Sequence, residues 1–356
     1  MKNLKIKMLL IVCSILITTI VGCKKDEEII TPITPASSKV FITNEGIFQS
    51  GTGTISVFDR KNLTVENNVF EKVNNKVLGN IAQSVTVFND KAYIIVNNAN
   101  KIEVINSDDY VSIATIENVI LPRFFIGVSK DKAYVSSWDN AVAVVDLNTN
   151  TVTKTISTGT GPERMLFTAG KVFVLNQGGF GIDSTITVID TQTDQIVKTI
   201  NVNNKPTGIC LDENGKIWVL CTGKGWNGYP QADDTEGHLI CINANDYTIE
   251  KNFAFSVITE HPENLVINKE KNVLFYKYPG GVNSFDISSM SLTLTQLIKR
   301  SNGIYGLGFD NSAEYIYCTN PLDYIQDGWF LRFDANTGNV VDSFKVGIIP
   351  GEFYFD

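Results

Sequence analysis

Histidine is nearly absent from this sequence of 356 residues, because only His238 and His261 occur in it. This scarcity limits hydrolysis at a histidine-bound metal and general-base catalysis by imidazole. The richest acid–base stretch is Glu260-His261-Pro262-Glu263, but neither a nucleophile nor an oxyanion arrangement can be read near it. A glycine-rich phosphate loop is missing as well. The sequence therefore predicts no catalytic residue and no cofactor.

Cysteines are also few, and they form no Cys-x-x-Cys pair and no Cys/His cluster, which argues against a zinc site. Four of them lie in apolar, strand-like contexts: Cys210, Cys221, Cys241 and Cys318. This setting predicts buried free thiols. A disulfide among the first three, which fall in one repeat, stays open as an alternative.

The apolar run at residues 8–21 is too short to span a bilayer as a permanent helix. Three lysines precede it, Gly22 and Cys23 follow it, and residues 24–28 are all charged. This pattern resembles a bacterial lipoprotein signal, which implies cleavage before Cys23 and lipidation of its thiol. The charged stretch resembles the surface-export signal of Bacteroidota lipoproteins. An ordinary secretory signal with an incidental cysteine is the alternative.

Residues 29–38 hold two prolines among small polar residues, which is typical of a semi-rigid tether. The sequence thus predicts three parts: a signal peptide at 1–22, a lipidated tether at 23–38 and a folded domain at 39–356. An outer-membrane, surface-exposed location held by the lipid anchor is expected from this order.

Basic residues are outnumbered, with 30 lysines and arginines against 38 acidic residues and a net charge of −8. Loss of residues 1–22, which contain three lysines and no acid, would change the net charge to −11. An acidic surface without a basic run repels nucleic acid and anionic headgroups. Nucleic acid is therefore not expected as a partner, and a membrane only through the lipid anchor.

A repeat organises the rest of the chain, and its clearest copy runs from Pro162 to Val202. This copy contains four short stretches rich in Val, Ile, Thr and Phe, each bounded by Gly, Asn, Asp or Pro. Alternating apolar residues with such punctuation are typical of strands joined by tight turns. One four-stranded sheet cannot bury both of its faces, so neighbouring copies must cover it.

Seven copies can be counted, because seven apolar stretches of the third-strand type end in an acidic residue or an asparagine. These ends are Asp59, Asn106, Asp146, Asp190, Asn243, Asp286 and Asp334. Their average spacing of about 46 residues is within the range of propeller blades. First strands are found for only six copies, and Ile349–Asp356 is expected to supply the seventh. The prediction is an all-β, seven-bladed β-propeller closed by its C-terminal strand.

The predicted loops are uneven between the two faces of the propeller. Long connections between second and third strands, such as 176–184 and 222–237, fall on one face, where binding is usually found. Aromatic and amide side chains dominate these loops, which suits a large and mostly neutral polar ligand. The predicted ligand-binding residues are Asn44, Gln49, Gln83, Asn97, Asn98, Arg123, Trp138, Asn176, Gln177, Trp226, Tyr229, Tyr278, Asn320 and Tyr324.

The residues that open the first strands are expected to ring the central channel on the same face. They are Gln83, Arg123, Glu163, Thr207, Glu263 and Glu352. Three carboxylates at one place could hold a cation. Their neutral and basic neighbours favour an ordinary polar channel mouth instead, so no metal site is predicted.

Five stretches of the sequence resemble the YncE-like surface propellers of Bacteroidota, and especially their cobalamin-capturing lipoproteins, BtuG. They are residues 41–49, 82–84, 96–98, 323–324 and 346–353. The resemblance implies that a propeller face holds a corrinoid or a similar large polar ligand above a TonB-dependent outer-membrane transporter. A propeller lyase or lactonase that uses Glu260, His261 and Glu263 is the alternative.

Overall fold

The computed structural model describes residues 38–300 and 303–356, which fold as an all-β propeller with seven four-stranded antiparallel sheets. The seven-bladed prediction is confirmed. The predicted signal peptide, Cys23 and nearly all of the tether lie outside the described residues. Within the described ranges, no helix is long and apolar enough to cross a membrane.

The 28 strands of the described residues follow one another in chain order. They are β1 (Lys39–Asn44), β2 (Thr54–Asp59), β3 (Thr64–Glu66), β4 (Ala82–Phe88), β5 (Lys91–Val96), β6 (Lys101–Asn106), β7 (Ser112–Ile116), β8 (Pro122–Ser129), β9 (Lys132–Ser137), β10 (Ala141–Asp146), β11 (Thr151–Ser157), β12 (Pro162–Thr168), β13 (Lys171–Asn176), β14 (Thr185–Asp190), β15 (Gln195–Asn201), β16 (Pro206–Leu211), β17 (Lys216–Cys221), β18 (His238–Asn243), β19 (Ile249–Ala254), β20 (Glu263–Ile267), β21 (Val273–Tyr278), β22 (Gly281–Asp286), β23 (Thr295–Lys299), β24 (Leu307–Asp310), β25 (Tyr315–Asn320), β26 (Asp327–Asp334), β27 (Val340–Ile348) and β28 (Pro350–Phe355). A short helix, α1 (Val69–Asn74), and a 3-10 turn (Asn97–Ala99) complete the elements.

Blades two to seven each consist of four consecutive strands, from β4–β7 to β24–β27, whereas blade one has the order β28-β1-β2-β3. The last strand of the chain pairs with the first, and Val40 lies opposite Phe355 while Ile42 lies opposite Phe353. The rings of Phe353 and Phe355 contact Tyr317 of blade seven at centroid distances of 5.6 and 5.0 Å. β28 thus joins blade one to its neighbour in the ring.

The third strand of every blade ends at the acidic residue or asparagine that the sequence indicated. These side chains turn the chain by accepting hydrogen bonds from backbone N–H groups two or three residues further on. Asp190 Oδ1, for example, accepts from the N–H groups of Gln192 and Thr193 at 2.9 and 3.0 Å. Short side chains that bond to their own backbone favour such turns.

The core lies between the blades and contains an aromatic residue at the third position of every second strand. All seven are buried: Phe41, Tyr93, Tyr134, Phe173, Trp218, Phe275 and Tyr317. Burial of each large apolar side chain stabilises the fold by roughly 1.5–3 kcal/mol. Each of the seven belongs to a different hydrophobic cluster between two neighbouring blades, so these aromatics hold the blades together.

The four described cysteines are free and buried, as predicted, and the disulfide alternative is not formed among them. Burial raises the pKa of the Cys210, Cys221 and Cys318 thiols to about 12. These side chains therefore act as small apolar groups in the core.

Candidate functional site

A cavity of about 310 Å³ lies where the innermost strands meet the long loops, and we call it the channel mouth. The channel residues expected from the sequence all line it: Gln83, Arg123, Glu163, Thr207, Glu263 and Glu352. Trp138, Gln177 and Trp226 come from the connections between second and third strands. A second cavity of about 460 Å³, the side cavity, shares Trp226, Glu263 and Lys277 with it.

β-Bulges in the innermost strands bring consecutive side chains into the channel mouth. In β12 the register with β13 shifts between Pro162 and Met165, and both Glu163 and Arg164 line the cavity. In a regular strand, neighbouring side chains point to opposite faces, whereas a bulge re-aims one of them. A similar shift in β8 accompanies Arg123 and Phe124. The bulges therefore increase the density of functional groups around the axis.

Arg123 is the centre of a hydrogen-bonded cluster in the channel mouth. Its Nε and Nη2 donate to the two carboxylate oxygens of Glu163 at 2.9 and 2.8 Å, and Nη1 donates to Gln83. Trp138 Nε1 donates to Glu163 at 2.6 Å. The Arg123 guanidinium also lies over the Trp138 ring, with the carbon 4.0 Å from its centroid. A bidentate pair of this kind fixes the geometry of both side chains.

The other two channel carboxylates are also paired with cations. Arg164 donates to Glu352, and its guanidinium lies 4.6 Å from the Phe124 ring centroid. Lys277 Nζ lies 2.5 Å from Glu263 Oε2. Within the described residues, no group of three or more His, Cys, Asp or Glu side chains could hold a metal ion. The three carboxylates therefore belong to ion pairs rather than to a cation site.

Lys205 differs from the other cations of the channel mouth. Its Nζ lies 4.4 Å from the centroid of the Trp226 ring and has no hydrogen-bond or carboxylate partner among the described residues. Burial lowers the pKa of Lys205, and the negative charge of Glu263 offsets part of this effect. The ammonium group therefore lies in the cavity wall with only an aromatic face against it.

Glu45 adds a titratable group to the same wall. Tyr305 donates its hydroxyl hydrogen to Glu45 Oε1 at 2.9 Å. Burial raises the pKa of the Glu45 carboxyl to about 7, and the Tyr305 hydrogen bond and the charge of Arg123 oppose this rise. The net charge of the channel mouth therefore changes near neutral pH.

The predicted ligand-binding residues divide into three groups. Five line the channel mouth: Gln83, Arg123, Trp138, Gln177 and Trp226. Tyr278 lines the side cavity. The remaining eight, Asn44, Gln49, Asn97, Asn98, Asn176, Tyr229, Asn320 and Tyr324, line neither of these two cavities.

Three of those eight are buried asparagines that bond within the propeller. Asn44 Nδ2 donates to Ser56 Oγ at 2.9 Å, Asn97 Nδ2 to the Pro122 carbonyl at 3.0 Å, and Asn176 Nδ2 to Thr185 Oγ1 at 2.9 Å. Amides with such partners stabilise blade ends. Their position at the ends of second strands gives them a structural task that the sequence does not distinguish from binding.

Of the other five, Gln49, Tyr229 and Tyr324 lie in loops, Asn98 lies in the 3-10 turn and Asn320 ends β25. Gln49 and Asn98 both bond to Asn80 Oδ1, through a backbone N–H and a side-chain amide respectively. Asn320 Oδ1 accepts from the Leu322 N–H within a turn. Tyr229 and Tyr324 are exposed.

Five titratable residues that line the channel mouth were not expected from the sequence: Glu45, Arg164, Lys205, Lys277 and Tyr305. The sequence feature that could have indicated them is a pair of charged residues at the start of a first strand, as in Glu163-Arg164. In a regular strand only one of two such neighbours faces the channel. A bulge turns both toward it, but the amino-acid composition does not reveal a bulge.

His261, the best candidate for an acid–base residue, is buried and anchors a loop. Its ring Nδ1 bonds to the Thr222 carbonyl at 3.1 Å, and its Nε2 lies 3.8 Å from Asp234 Oδ2. The Asn227 side chain bonds to both backbone groups of His261, at 2.8 and 2.9 Å. These contacts tie the long connection between β17 and β18 to the start of β20.

The sequence of residues 38–355 matches a protein family described as "Domain of unknown function (DUF5074)". The chain belongs to this family. No curated protein matches it significantly.

Solved structures are similar in fold. A quinoprotein alcohol dehydrogenase-like protein from Bacteroides thetaiotaomicron is 13% identical, with a TM-score of 0.64 over 90% of this chain and 78% of that one. The hydrazine synthase of Kuenenia stuttgartiensis is 14% identical, with a TM-score of 0.58 over 69% and 74%. The computationally designed Ika8 protein is 12% identical, with a TM-score of 0.58 over 87% and 88%. At these identities the similarity concerns the propeller fold alone.

Proposed function

We propose that this member of the family is a lipid-anchored surface protein that captures a bulky polar nutrient, a corrinoid such as cobalamin. It would deliver the ligand to a TonB-dependent outer-membrane transporter. The lipoprotein-like start of the sequence and the resemblance to cobalamin-capturing propellers support the anchor and the transporter. The channel mouth and its rim support the ligand class.

The observation that carries the proposal is a rim of exposed aromatic side chains. The exposed fractions are 87% for Phe180, 74% for Tyr229, 68% for Trp226 and 51% for Tyr324. Large exposed aromatics on one face of a folded domain mark binding surfaces more often than they serve the fold.

Each rim aromatic is connected to the channel mouth. Trp226 lines it, and the Tyr229 N–H bonds to the Trp226 carbonyl at 3.0 Å. Phe180 packs on Trp138 with ring centroids 5.2 Å apart. Tyr324 packs on Tyr305 at 6.0 Å. The aromatics therefore surround one opening rather than being scattered over the face.

The chemistry of a corrinoid complements this arrangement. Its macrocycle is broad and largely apolar on its faces, which suits contact with aromatic rings, and its periphery carries amide groups. The charged and amide side chains of the channel mouth, such as Gln83, Gln177 and Arg123, donate and accept hydrogen bonds of the kind that amides require.

Calorimetric titration of the purified protein with cyanocobalamin tests the proposal. Trp226→Ala should weaken binding about thirtyfold, which corresponds to about 2 kcal/mol for a desolvated aromatic anchor. Trp329→Ala is the matched control, because Trp329 is partly exposed in β26 and lines neither cavity. No binding of cyanocobalamin in the micromolar range, or equal losses for both variants, would contradict the proposal.

A further inference from the structure

The channel mouth holds four cationic side chains, and three of them are neutralised by a carboxylate. Arg123 pairs with Glu163, Arg164 with Glu352 and Lys277 with Glu263. The fourth, Lys205, has only the Trp226 ring against its ammonium group. Among the described residues of the cavity, it is the cation whose charge no salt bridge offsets.

The fold does not require a lysine at this position. Lys205 precedes the first strand of blade five and has a left-handed backbone, with φ of 54°. The residues that precede the first strands of blades one to four share this conformation: Ile349, Ile81, Leu121 and Gly161. Since apolar residues and glycine serve there, the ammonium group is an addition to the architecture. Its partial desolvation is a cost that no internal salt bridge offsets.

Two threonine hydroxyl groups line the same cavity as the Lys205 ammonium group. Thr207 and Thr222 both line the channel mouth, and their Oγ1 atoms are 2.8 Å apart. The Thr222 N–H bonds to the Lys205 carbonyl at 2.8 Å, which keeps the loop beside the lysine. Within the pair one hydroxyl donates to the other, so one hydroxyl hydrogen remains available to a ligand.

We propose that Lys205, together with the Thr207 and Thr222 hydroxyls, is the subsite that binds a phosphate group of the ligand. This inference rests on the proposed function. In cobalamin the phosphodiester of the nucleotide loop is the anionic group at the periphery, and Trp226 beside Lys205 would contact the adjoining apolar part. Glu263 is the carboxylate whose negative charge acts on Lys205 and could compete with a phosphate, but Lys277 already neutralises Glu263.

Three corrinoids separate the phosphate from the rest of the ligand. Cyanocobalamin has the phosphodiester and the base, cobinamide phosphate has the phosphate without the base, and cobinamide has neither. The native protein should bind the first two about tenfold to a hundredfold more tightly than cobinamide, as expected for a charge-assisted hydrogen bond. Inorganic phosphate should displace cyanocobalamin only weakly, because it lacks the macrocycle.

The variants then assign the preference to one residue. Lys205→Met should bind all three corrinoids with the affinity that the native protein has for cobinamide, and Lys205→Arg should keep most of the preference. Lys198→Met is the matched control, since Lys198 lies exposed on the outer strand β15. Urea unfolding of each variant checks that the propeller is intact.

The failure of this inference differs from the failure of the proposed function. If the native protein binds none of the corrinoids, the proposed function is wrong. If it binds all three equally, or binds cobinamide phosphate no better than cobinamide, it captures corrinoids without a phosphate subsite, and the inference is overturned without need of any variant. A Lys205→Met protein that keeps the full preference also overturns it.

Discussion

The Arg123 guanidinium lies over the Trp138 ring in the channel mouth, with its carbon 4.0 Å from the ring centroid, and both side chains bond to the carboxylate of Glu163. Arg123 comes from β8 and Trp138 from the β9–β10 connection of blade three, whereas Glu163 comes from β12 of blade four. The cluster therefore fastens two blades together at the cavity. Such a preorganised wall reduces the ordering that a ligand must impose when it binds.

Glu163→Gln should lower the free energy of unfolding by about 3 kcal/mol, because it leaves the largely buried Arg123 without its anion. Trp138→Phe keeps an aromatic ring but loses one hydrogen bond, so it should lower the free energy of unfolding by about 1 kcal/mol. Urea unfolding measures both. Glu66→Gln is the control, since the Lys72–Glu66 pair is exposed and should contribute little. Equal stabilities of Glu163→Gln and the native protein would show that the cluster does not hold the blades.

Ligand capture should depend on Trp138 and Trp226 rather than on the two histidines. His261→Ala loses a buried ring that anchors the 222–237 connection, so we expect lower stability with at most a small change in cyanocobalamin affinity. His238 opens β18 and lines neither the channel mouth nor the side cavity, so its substitution should matter little. The measurement is calorimetric titration beside thermal unfolding for each variant. If the tryptophan variants fold and bind normally while His261→Ala abolishes function, the lyase or lactonase alternative should replace capture.

Glu45 should make the stability of the protein depend on pH. Its folded pKa of about 7 lies above its usual value of 4.5, so the folded state retains the proton where the unfolded state has lost it. The resulting stabilisation is fully present below about pH 4.5 and is lost as the pH rises through 7. From pH 5 to pH 8 the free energy of unfolding of the native protein should fall by up to about 2 kcal/mol relative to that of Glu45→Gln. Urea unfolding at both values tests this, and parallel curves for the two proteins would contradict it.

Deletion of Ile349–Asp356 should destabilise the protein far more than a frayed terminus would, because it removes β28 from blade one. A milder version is Phe355→Ala, which loses the contact with Tyr317 and should cost about 2 kcal/mol. Phe180→Ala makes the same substitution on an exposed loop and should change stability little. A truncated protein that melts at the native temperature would show that β28 does not hold the ring.

Much of the architecture could be predicted because the information is local. Asp190 ends a strand because its carboxylate accepts hydrogen bonds from the N–H groups of Gln192 and Thr193 in the turn, and the same chemistry recurs in every blade. Phe173 and its equivalents lie in short, continuous apolar stretches between turn residues, which are typical of fully buried strands. The channel residues at the openings of first strands followed from the blade count.

The details of the site were less accessible because they depend on contacts between distant residues. In the sequence Asn176 cannot be distinguished from a ligand-binding asparagine. In the structure its side-chain amide donates to Thr185 and Thr187 of the neighbouring strand. Arg164 reaches the cavity only through a bulge. Lys205 becomes a site residue through its backbone conformation and the position of the Trp226 ring against its ammonium group.

The pairing of β28 with β1 also imposes an order on biosynthesis. Blades two to seven can assemble from their own consecutive strands during translation. Blade one keeps an open edge until residues 350–355 have left the ribosome. An open edge pairs readily with other chains. A prematurely terminated chain would therefore aggregate or be degraded rather than act as a slightly shorter protein.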